Sequence, residues 1–556
     1  MDREKWYAYL EQYNQEHLIQ FWDQLNAEQR EMLVNDLKCI DIPKALRTFQ
    51  TTCNGGDQQS SIDDHLLEPL SDDIHHGVTK STPEQLKSFR DSDIKVKESK
   101  LYCYDEEGKD KDQYEKNGTM TDNILPGLKA ISEGRVAALL LAGGQGTRLG
   151  VSYPKGMLNV GLPSNKTLYQ LQGERIRRLE RLAFDATGKF SNIIWYIMTS
   201  EQTKEATEEF LAKHNHFGLK KDNIVIFEQN TLPCFTFDGK IILEQRHRIA
   251  RAPDGNGGLY VALKQCGILD DMQKRGLKYV HVYCVDNILV KVADPTFIGY
   301  CISMGAEAGA KVVEKFAPTE AVGIICKVKG KYEVVEYSEV SMTIAEKRNS
   351  DGRLTFRAGN ICNHFFTVDF LQNIWNKPLK HHIAKKKIPF VNHSGSIVKP
   401  EKPNGIKLEK FVFDVFHFTD KFVVWEVLRE HEFSPLKNAD GAEKDTPTTA
   451  RQALSYLHEK YLVEAGGTFI NDFNMKSKKS DVTVNGSIKN SCIDDVKCEI
   501  SPLLSYEGEE IEHLVRGKSF HTPLYLYSDE EASNEIINGT QAINGVNGIN
   551  GSNGYC

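Results

Sequence analysis

Two cations stand close behind a glycine turn. The segment Leu141-Ala-Gly-Gly-Gln-Gly-Thr-Arg-Leu-Gly150 is followed at once by Tyr153-Pro-Lys-Gly156. Glycines at 143, 144 and 146 let the chain turn sharply and bring bare amides against a ligand, where a side chain would intervene. Arg148 and Lys155 add positive charge beside that turn, Arg148 as a planar fork that is always protonated and Lys155 as a mobile point charge. Amides and cations together suit a run of phosphates, so the constellation asks for a triphosphate.

Other readings explain less. A glycine turn needed only for tight packing leaves both cations without a purpose. A dinucleotide fingerprint requires G-x-G-x-x-G, whereas Gly144, Gly146 and Gly150 are spaced G-x-G-x-x-x-G and are followed by bases instead of a ribose-binding acid. A Walker A loop is imitated by Gly161 to Thr167, but Asn165 stands where the second glycine belongs.

The elements that must hold this turn are legible around it. Val136 to Ala142 is a short continuous apolar run, the pattern of a strand buried on both faces of a parallel sheet. Similar runs at Ile193–Met198, Ile224–Phe227, Tyr279–Val285 and Ala310–Val313 alternate with helical patterns, which predicts an open α/β sheet. Strand-like segments at Gly323–Val328, Tyr332–Tyr337 and Gly359–Phe366 extend it as a mixed or antiparallel sheet. Asp286 falls just past one buried strand, at the carboxyl end where ligands bind such sheets. Pro253-Asp-Gly-Asn-Gly-Gly258 precedes a helical run from about Leu259 and offers amides at its N-terminus.

Outside this middle the texture differs. Apolar residues at helical spacing (Trp6, Leu10, Tyr13, Leu18, Phe21, Leu25) predict helices over 6–50. Asn54–Asp64 is a polar loop, and the mixed-charge run 105–116 is a solvated one. A smaller module follows Phe433, with strands at Asp481–Ile488 and Lys497–Ile500. The closing Asn-Gly repeats have too little apolar mass to pack. The expected division is a mostly helical region 1–134, a central α/β domain 135–425, a small β-containing domain 426–530 and a disordered tail 531–556.

Composition narrows the class. A hydrophobic share of 40% and a charged share of 26% are those of a globular enzyme, and a formal charge of -8 with no basic run argues against nucleic acid as a partner. No window of ~20 apolar residues and no leader is seen, so neither membrane insertion nor secretion is expected. The 12 cysteines are scattered without metal-ligand spacing and read as reduced thiols of a cytoplasmic protein. Asn117 and Asn165 then match glycosylation acceptors only by chance.

The glycine–cation segment resembles the G-x-G-T-R…P-K signature of nucleotide-sugar pyrophosphorylases. In its full form it is similar to that of the eukaryotic UDP-N-acetylhexosamine (UDP-N-acetylglucosamine) pyrophosphorylases. The likeness continues in order through Ala252–Tyr260, Val282–Leu289, Val335–Glu339, Ala358–Ile361, Lys402–Lys407 and Phe433–Asp440, covering roughly 100–525. It implies a central Rossmann-like nucleotidyltransferase domain that joins UTP to N-acetylglucosamine 1-phosphate, giving UDP-N-acetylglucosamine and pyrophosphate. N-Acetylgalactosamine 1-phosphate is a further possible acceptor. By resemblance, Leu141, Ala142, Gly143, Gly144, Lys155, Gln229, Gly255, Asp286 and Lys407 contact UTP. Asn256, Gly323, Glu336, Tyr337 and Asn360 contact the sugar, with Gly323 leaving room for its acetamido group. Arg148, Lys155 and Lys437 neutralise charge during transfer, and Asp286 is the expected ligand of Mg²⁺ (or Mn²⁺). A broad-specificity UDP-sugar pyrophosphorylase and a non-catalytic nucleotide-sugar-binding regulator remain alternatives, as do a monomer and a homodimer.

Overall fold

The computed structural model describes residues 3–54, 63–77, 121–470, 498–531 and 541–544. Its first helices, α1 (Arg3–Glu11), α2 (Ala27–Cys39) and α3 (Ile42–Asn54), follow the predicted periodicity. Asn26 caps α2 in a capping box with Gln29. The apolar faces bury Leu10, Leu33, Ile42 and Phe49 against Phe235, Ile406 and Leu408 of a small three-stranded sheet.

The central sheet starts from the continuous apolar runs. Its strands, in chain order, are β1 (Val136–Leu141), β2 (Ile194–Thr199), β3 (Ile224–Glu228), β4 (Tyr279–Cys284), β5 (Ala308–Glu314), β6 (Ile324–Val328), β7 (Lys331–Val335), β8 (Ala358–Thr367) and β9 (Phe422–Val427). Across the sheet the order is His75–Gly77, β9, β5, β8, β4, β1, β2, β3. β4, β1, β2 and β3 run parallel, and β8 is antiparallel to both its neighbours. The chain steps from β1 to β2 and β3 on one side, then returns to place β4 on the other. The crevice at the carboxyl ends of β1 and β4 is therefore the topological switch point of the sheet. One apolar cluster covers each face, the first around Leu139, Tyr196 and Val282, the second around Leu140, Trp195 and Tyr283.

Two parts of the N-terminal region belong to this body. His75–Gly77 extends the sheet beside β9, and helix α4 (Thr121–Ser132) places Ala130 and Ile131 in the second cluster.

Helix α5 (Leu168–Thr187) lies against the same face, capped by Thr167, whose hydroxyl accepts from Gln170 N–H. Glu180 on it is buried, and its carboxylate accepts from Ile193 N–H at 2.8 Å. Burial pushes this carboxyl up to about 7, against the Ile193 bond that favours the charged form. A folded pKa above the unfolded one means stability is greatest below pH ~4.5 and falls as pH rises through 7. Glu180→Gln keeps the acceptor without the charge. Its melting temperature should match wild type at pH 5 and exceed it at pH 8, and an equal difference at both pH values would show that Glu180 stays ionised throughout.

Helix α6 (Pro447–Glu464) leads into the C-terminal module, where β10 (Cys498–Ile500) and β11 (Leu524–Tyr527) pair in parallel. Of the expected strand at 497–500, Cys498–Ile500 is a strand, while residue 497, Asp481–Ile488 and the 105–116 run lie outside the described residues.

The tail departs from its sequence reading in two places. Gln541–Asn544 forms a strand, β12, parallel to β11. Glu531, the expected first residue of the tail, is buried against Lys166. Composition could not reveal either, because a strand edge and a distant cation supply what the segment lacks. Among the described residues no helix is long and apolar enough to cross a membrane.

Candidate active site

Each flank of the crevice carries part of the predicted constellation. β1 is buried along its whole length, and where it ends Ala142 N–H donates to Met198 O at 2.8 Å. At Gly143 a Cβ would collide with Gln229 Nε2, so this glycine admits the amide side chain of a second predicted site residue. Gln229 is buried with no partner for its Oε1. A buried acceptor left open at the mouth of a crevice suits a ligand donor. Gly144 is exposed, with open space where its side chain would be. Leu141 and Ala142 are buried and can present only backbone.

Arg148 lies on a single 3-10 turn, Thr147–Leu149, and is exposed. Its carbonyl accepts from Ala439 N–H, which ties the glycine loop to the segment after Lys437. Lys155 opens the next such turn, Lys155–Met157, and reaches across the crevice. Its Nζ donates to Leu436 O at 3.2 Å and stands 3.7 Å from Asp286 Oδ2, with 17% of the side chain exposed. The register Leu141–Cys284 between β1 and β4 places Asp286 opposite the glycine turn.

Asn287 is a residue that the sequence reading passed over. Its Nδ2 donates to Glu432 O at 2.6 Å, and its Oδ1 accepts from Ser434 N–H at 2.9 Å. With Leu436 N–H on Asp286 O at 2.8 Å, these bonds fasten the segment 434–437 to the loop that carries Asp286. Lys437 is thereby held at the same rim, its side chain exposed. Only the motif that contains both Asp286 and Asn287 hinted at this role.

Four of the sugar candidates lie at the ends of or on β6, β7 and β8: Gly323 just before β6, Glu336 and Tyr337 just after β7, and Asn360 on β8. Asn360 N–H donates to Gly323 O at 2.8 Å. Asn360 Oδ1 accepts from Cys362 N–H and from His364 Nε2, both at 3.1 Å, which leaves its NH₂ group as the free donor. His364 is buried, and desolvation brings its pKa down to about 3, so it is a neutral donor here. Glu336 and Tyr337 stand in the turn just beyond β7, not within the strand expected for them, because β7 ends at Val335. Tyr337 is 52% exposed. Burial and the nearby Glu339 raise the Glu336 carboxyl, while His382 and Lys437 pull it down. Lys437 therefore connects the phosphate side to the sugar side.

One glycine expectation is extended and another needs correction. A Cβ on Gly323 would stand 2.9 Å from Val334 Cγ1 and 3.3 Å from Glu336 Oε1. The lack of a side chain here therefore also seats Val334 and Glu336. The loop before Leu259 also spends amides internally: Gly257 N–H donates to Lys410 O and Gly258 N–H to Gly255 O.

Gly255 has φ +86°, and a Cβ would collide with the Lys410 backbone, so glycine is required. Asn256 uses its Oδ1 on Val412 N–H at 2.9 Å and so braces the same backbone. Asp254, also missed by sequence, is 3% exposed, with its Oδ1 unpartnered and Lys410 Nζ 3.7 Å from its Oδ2. Burial moves its carboxyl up to about 6.

Lys407 sits on the small sheet at Gly405–Glu409, where its charge acts on Cys234 and Glu244. No hydrogen bond or ion pair among the described residues ties it to the glycine turn.

The family model described as UTP–glucose-1-phosphate uridylyltransferase matches residues 91–501, well over half of the chain. The chain belongs to this family. Among relatives of this uridylyltransferase family member, the Xenopus tropicalis "UDP-N-acetylhexosamine pyrophosphorylase-like protein 1" is 49% identical over 94% of this chain and 96% of its own. "UDP-N-acetylglucosamine diphosphorylase 2" of Arabidopsis thaliana is 39% identical over 92% of each. The solved uridine diphosphate N-acetylglucosamine pyrophosphorylase of Trypanosoma brucei, in complex with inhibitor, superposes with a TM-score of 0.69 at 28% identity. It covers 92% of this chain and 94% of that one.

Within the family's site, the residues present fit a divalent cation held jointly with substrate. Among the described residues no group of three or more His, Cys, Asp or Glu could hold a metal alone. Asp286, 21% exposed at the crevice, offers one carboxylate. Mg²⁺ is commonly held by one or two carboxylates and completes its shell with phosphate oxygens and water.

Proposed function

We propose that the protein transfers a uridylyl group from UTP to N-acetylglucosamine 1-phosphate, forming UDP-N-acetylglucosamine and pyrophosphate. The observation that carries this reading is Lys155, poised between Asp286 and the Leu436 carbonyl directly behind the glycine turn. The identity to relatives named for N-acetylhexosamine substrates supports the sugar.

A phosphate oxygen of the sugar 1-phosphate attacks the α-phosphorus of UTP in line. The bond from that phosphorus to the bridging oxygen breaks, and the electron pair leaves with pyrophosphate. The attacking phosphate is already anionic near neutral pH, so no side chain need act as base. Gly143 and Gly144 present backbone to the triphosphate, Gln229 meets the uracil, and Gly255 lets the chain pass close to it. Lys155, Arg148 and Lys437 neutralise the charge that gathers on the transferred and departing phosphates. Asp286 would hold Mg²⁺, which would screen the phosphates. Lys407 would reach the nucleotide phosphates from the small sheet, and Asn256, Glu336, Tyr337 and Asn360 would hold the sugar. The cytoplasm is the proposed setting.

Initial rates of pyrophosphate release with UTP and a panel of sugar 1-phosphates test this. Glucose 1-phosphate should be poorer than N-acetylglucosamine 1-phosphate by ~1–3 kcal/mol in kcat/KM, since it leaves any amide-binding group unpaired. Equal values would favour a broad UDP-sugar pyrophosphorylase. Gly323→Ala should depress kcat/KM for both sugars by about tenfold, because the methyl displaces Glu336. A loss confined to the N-acetylated sugar would return Gly323 to direct contact with the acetamido group.

A further inference from the structure

Two thiols meet on the floor of this site. Cys284 ends β4, and Cys362 lies in β8; the antiparallel register that sets Tyr283 opposite Asn363 sets these two opposite each other one step on. Their sulfurs are 3.1 Å apart, with the Cys284 thiol donating. Both residues are part-buried at the edge of the site. A disulfide needs about 2.05 Å between sulfurs and Cβ atoms close across the bridge, a condition that directly opposed cross-strand residues meet.

We propose that Cys284 and Cys362 form a thiol–disulfide modification site that switches the transferase off. The oxidant is a hydroperoxide or a small disulfide. Each thiol gives up one hydrogen as the S–S bond forms, so two electrons and two protons pass to the oxidant. A hydroperoxide is reduced to water and an alcohol (or, from hydrogen peroxide, to two waters), and a disulfide to two thiols. Activity responds because both cysteines adjoin functional groups. Cys362 N–H orients the Asn360 amide at 3.1 Å, and its backbone has φ +52°, a conformation with little freedom to yield. Cys284 stands two residues before Asp286, whose carboxylate pairs with Lys155. Drawing the sulfurs together by about 1 Å therefore moves Asn360 or Asp286, and displacements of that size are costly in an aligned site.

The activity half rests on the proposed uridylyl transfer; the chemical half does not. The full reduced chain is treated with hydrogen peroxide or oxidised glutathione, alkylated, digested and mapped by mass, with pyrophosphate release followed in parallel. The expected result is a Cys284–Cys362 cross-linked peptide, a fall in kcat of ~10-fold or more, and recovery with dithiothreitol. Cys284→Ser and Cys362→Ser should each keep reduced-state activity within about threefold, since each swaps a thiol for a hydroxyl of similar size at a part-buried position, and resist the oxidant. Absence of the cross-link overturns the site. Inactivation that persists undiminished in both serine variants, or a cross-link that leaves turnover unchanged, overturns the switch. A chain that forms the cross-link but transfers uridylyl to no sugar refutes the function reading alone.

Discussion

With Lys155 replaced by alanine, turnover is expected to fall by ~10²-fold or more while the melting temperature moves little. The ammonium group lies 3.2 Å from Leu436 O and 3.7 Å from Asp286 Oδ2, and the chain around it is already folded before any ligand arrives. Its charge therefore costs no reorganisation when negative charge moves from the α-phosphate to the leaving pyrophosphate. The small effect on stability follows because a partly exposed pair at this distance contributes at most ~1 kcal/mol. Arg148→Ala should show a similar loss of kcat with no change in melting temperature, since its side chain is exposed and makes no ion pair among the described residues. Single-turnover rates at saturating substrates separate the two roles: a cation needed only for binding would raise KM and spare kcat. Near-wild-type turnover in Lys155→Ala would remove this residue from the chemistry and leave the crevice as a binding site.

Lys166→Ala should be strongly destabilising, at about 3–5 kcal/mol. Lys166 is only 3% exposed at the start of α5, where its Nζ pairs with Glu174 at 2.6 Å, with Glu531, and with Ser501 Oγ at 2.9 Å. Glu499 lies in the same nest, accepting from Ser164 N–H and Oγ, and burial lifts its carboxyl to about 7. Removing the lysine leaves several acids buried around a missing cation. The Glu531 carboxyl experiences an opposing pull from burial, yet Lys166 overrides it and depresses the pKa to about 2. Because the folded value is below the ordinary one, this pairing stabilises above pH ~4.5 and its contribution is lost as pH falls toward 2. The gap in melting temperature between wild type and Lys166→Ala should therefore be full at pH 7 and shrink on acidification. A chain ending at Asp529 should also melt lower, since it lacks Glu531 and its bonds from Tyr525 and Ser528. Unchanged melting in both would mean the C-terminal module docks by its apolar contacts alone.

The amino-acid order alone determined the chemistry that could occur and roughly where. A glycine turn after a buried run, Arg148 and Lys155 behind it, and Asp286 at another strand end are all local features. Periodicity and spacing along the chain encode them, and the sheet at Val136–Leu141 and Tyr279–Cys284 follows from the same patterns. Tertiary structure decided which local features meet. Asn287 clasps a segment 145 residues away, Lys166 finds Glu531 across 365, and Cys284 faces Cys362 only through the register of β4 on β8. Folding set Gly323 against Val334 and Glu336, and Glu531 looked like the start of a tail until a buried lysine took it up. Such pairings depend on strand order and on desolvation, neither of which has a period or a motif, because the interacting groups share no stretch of chain.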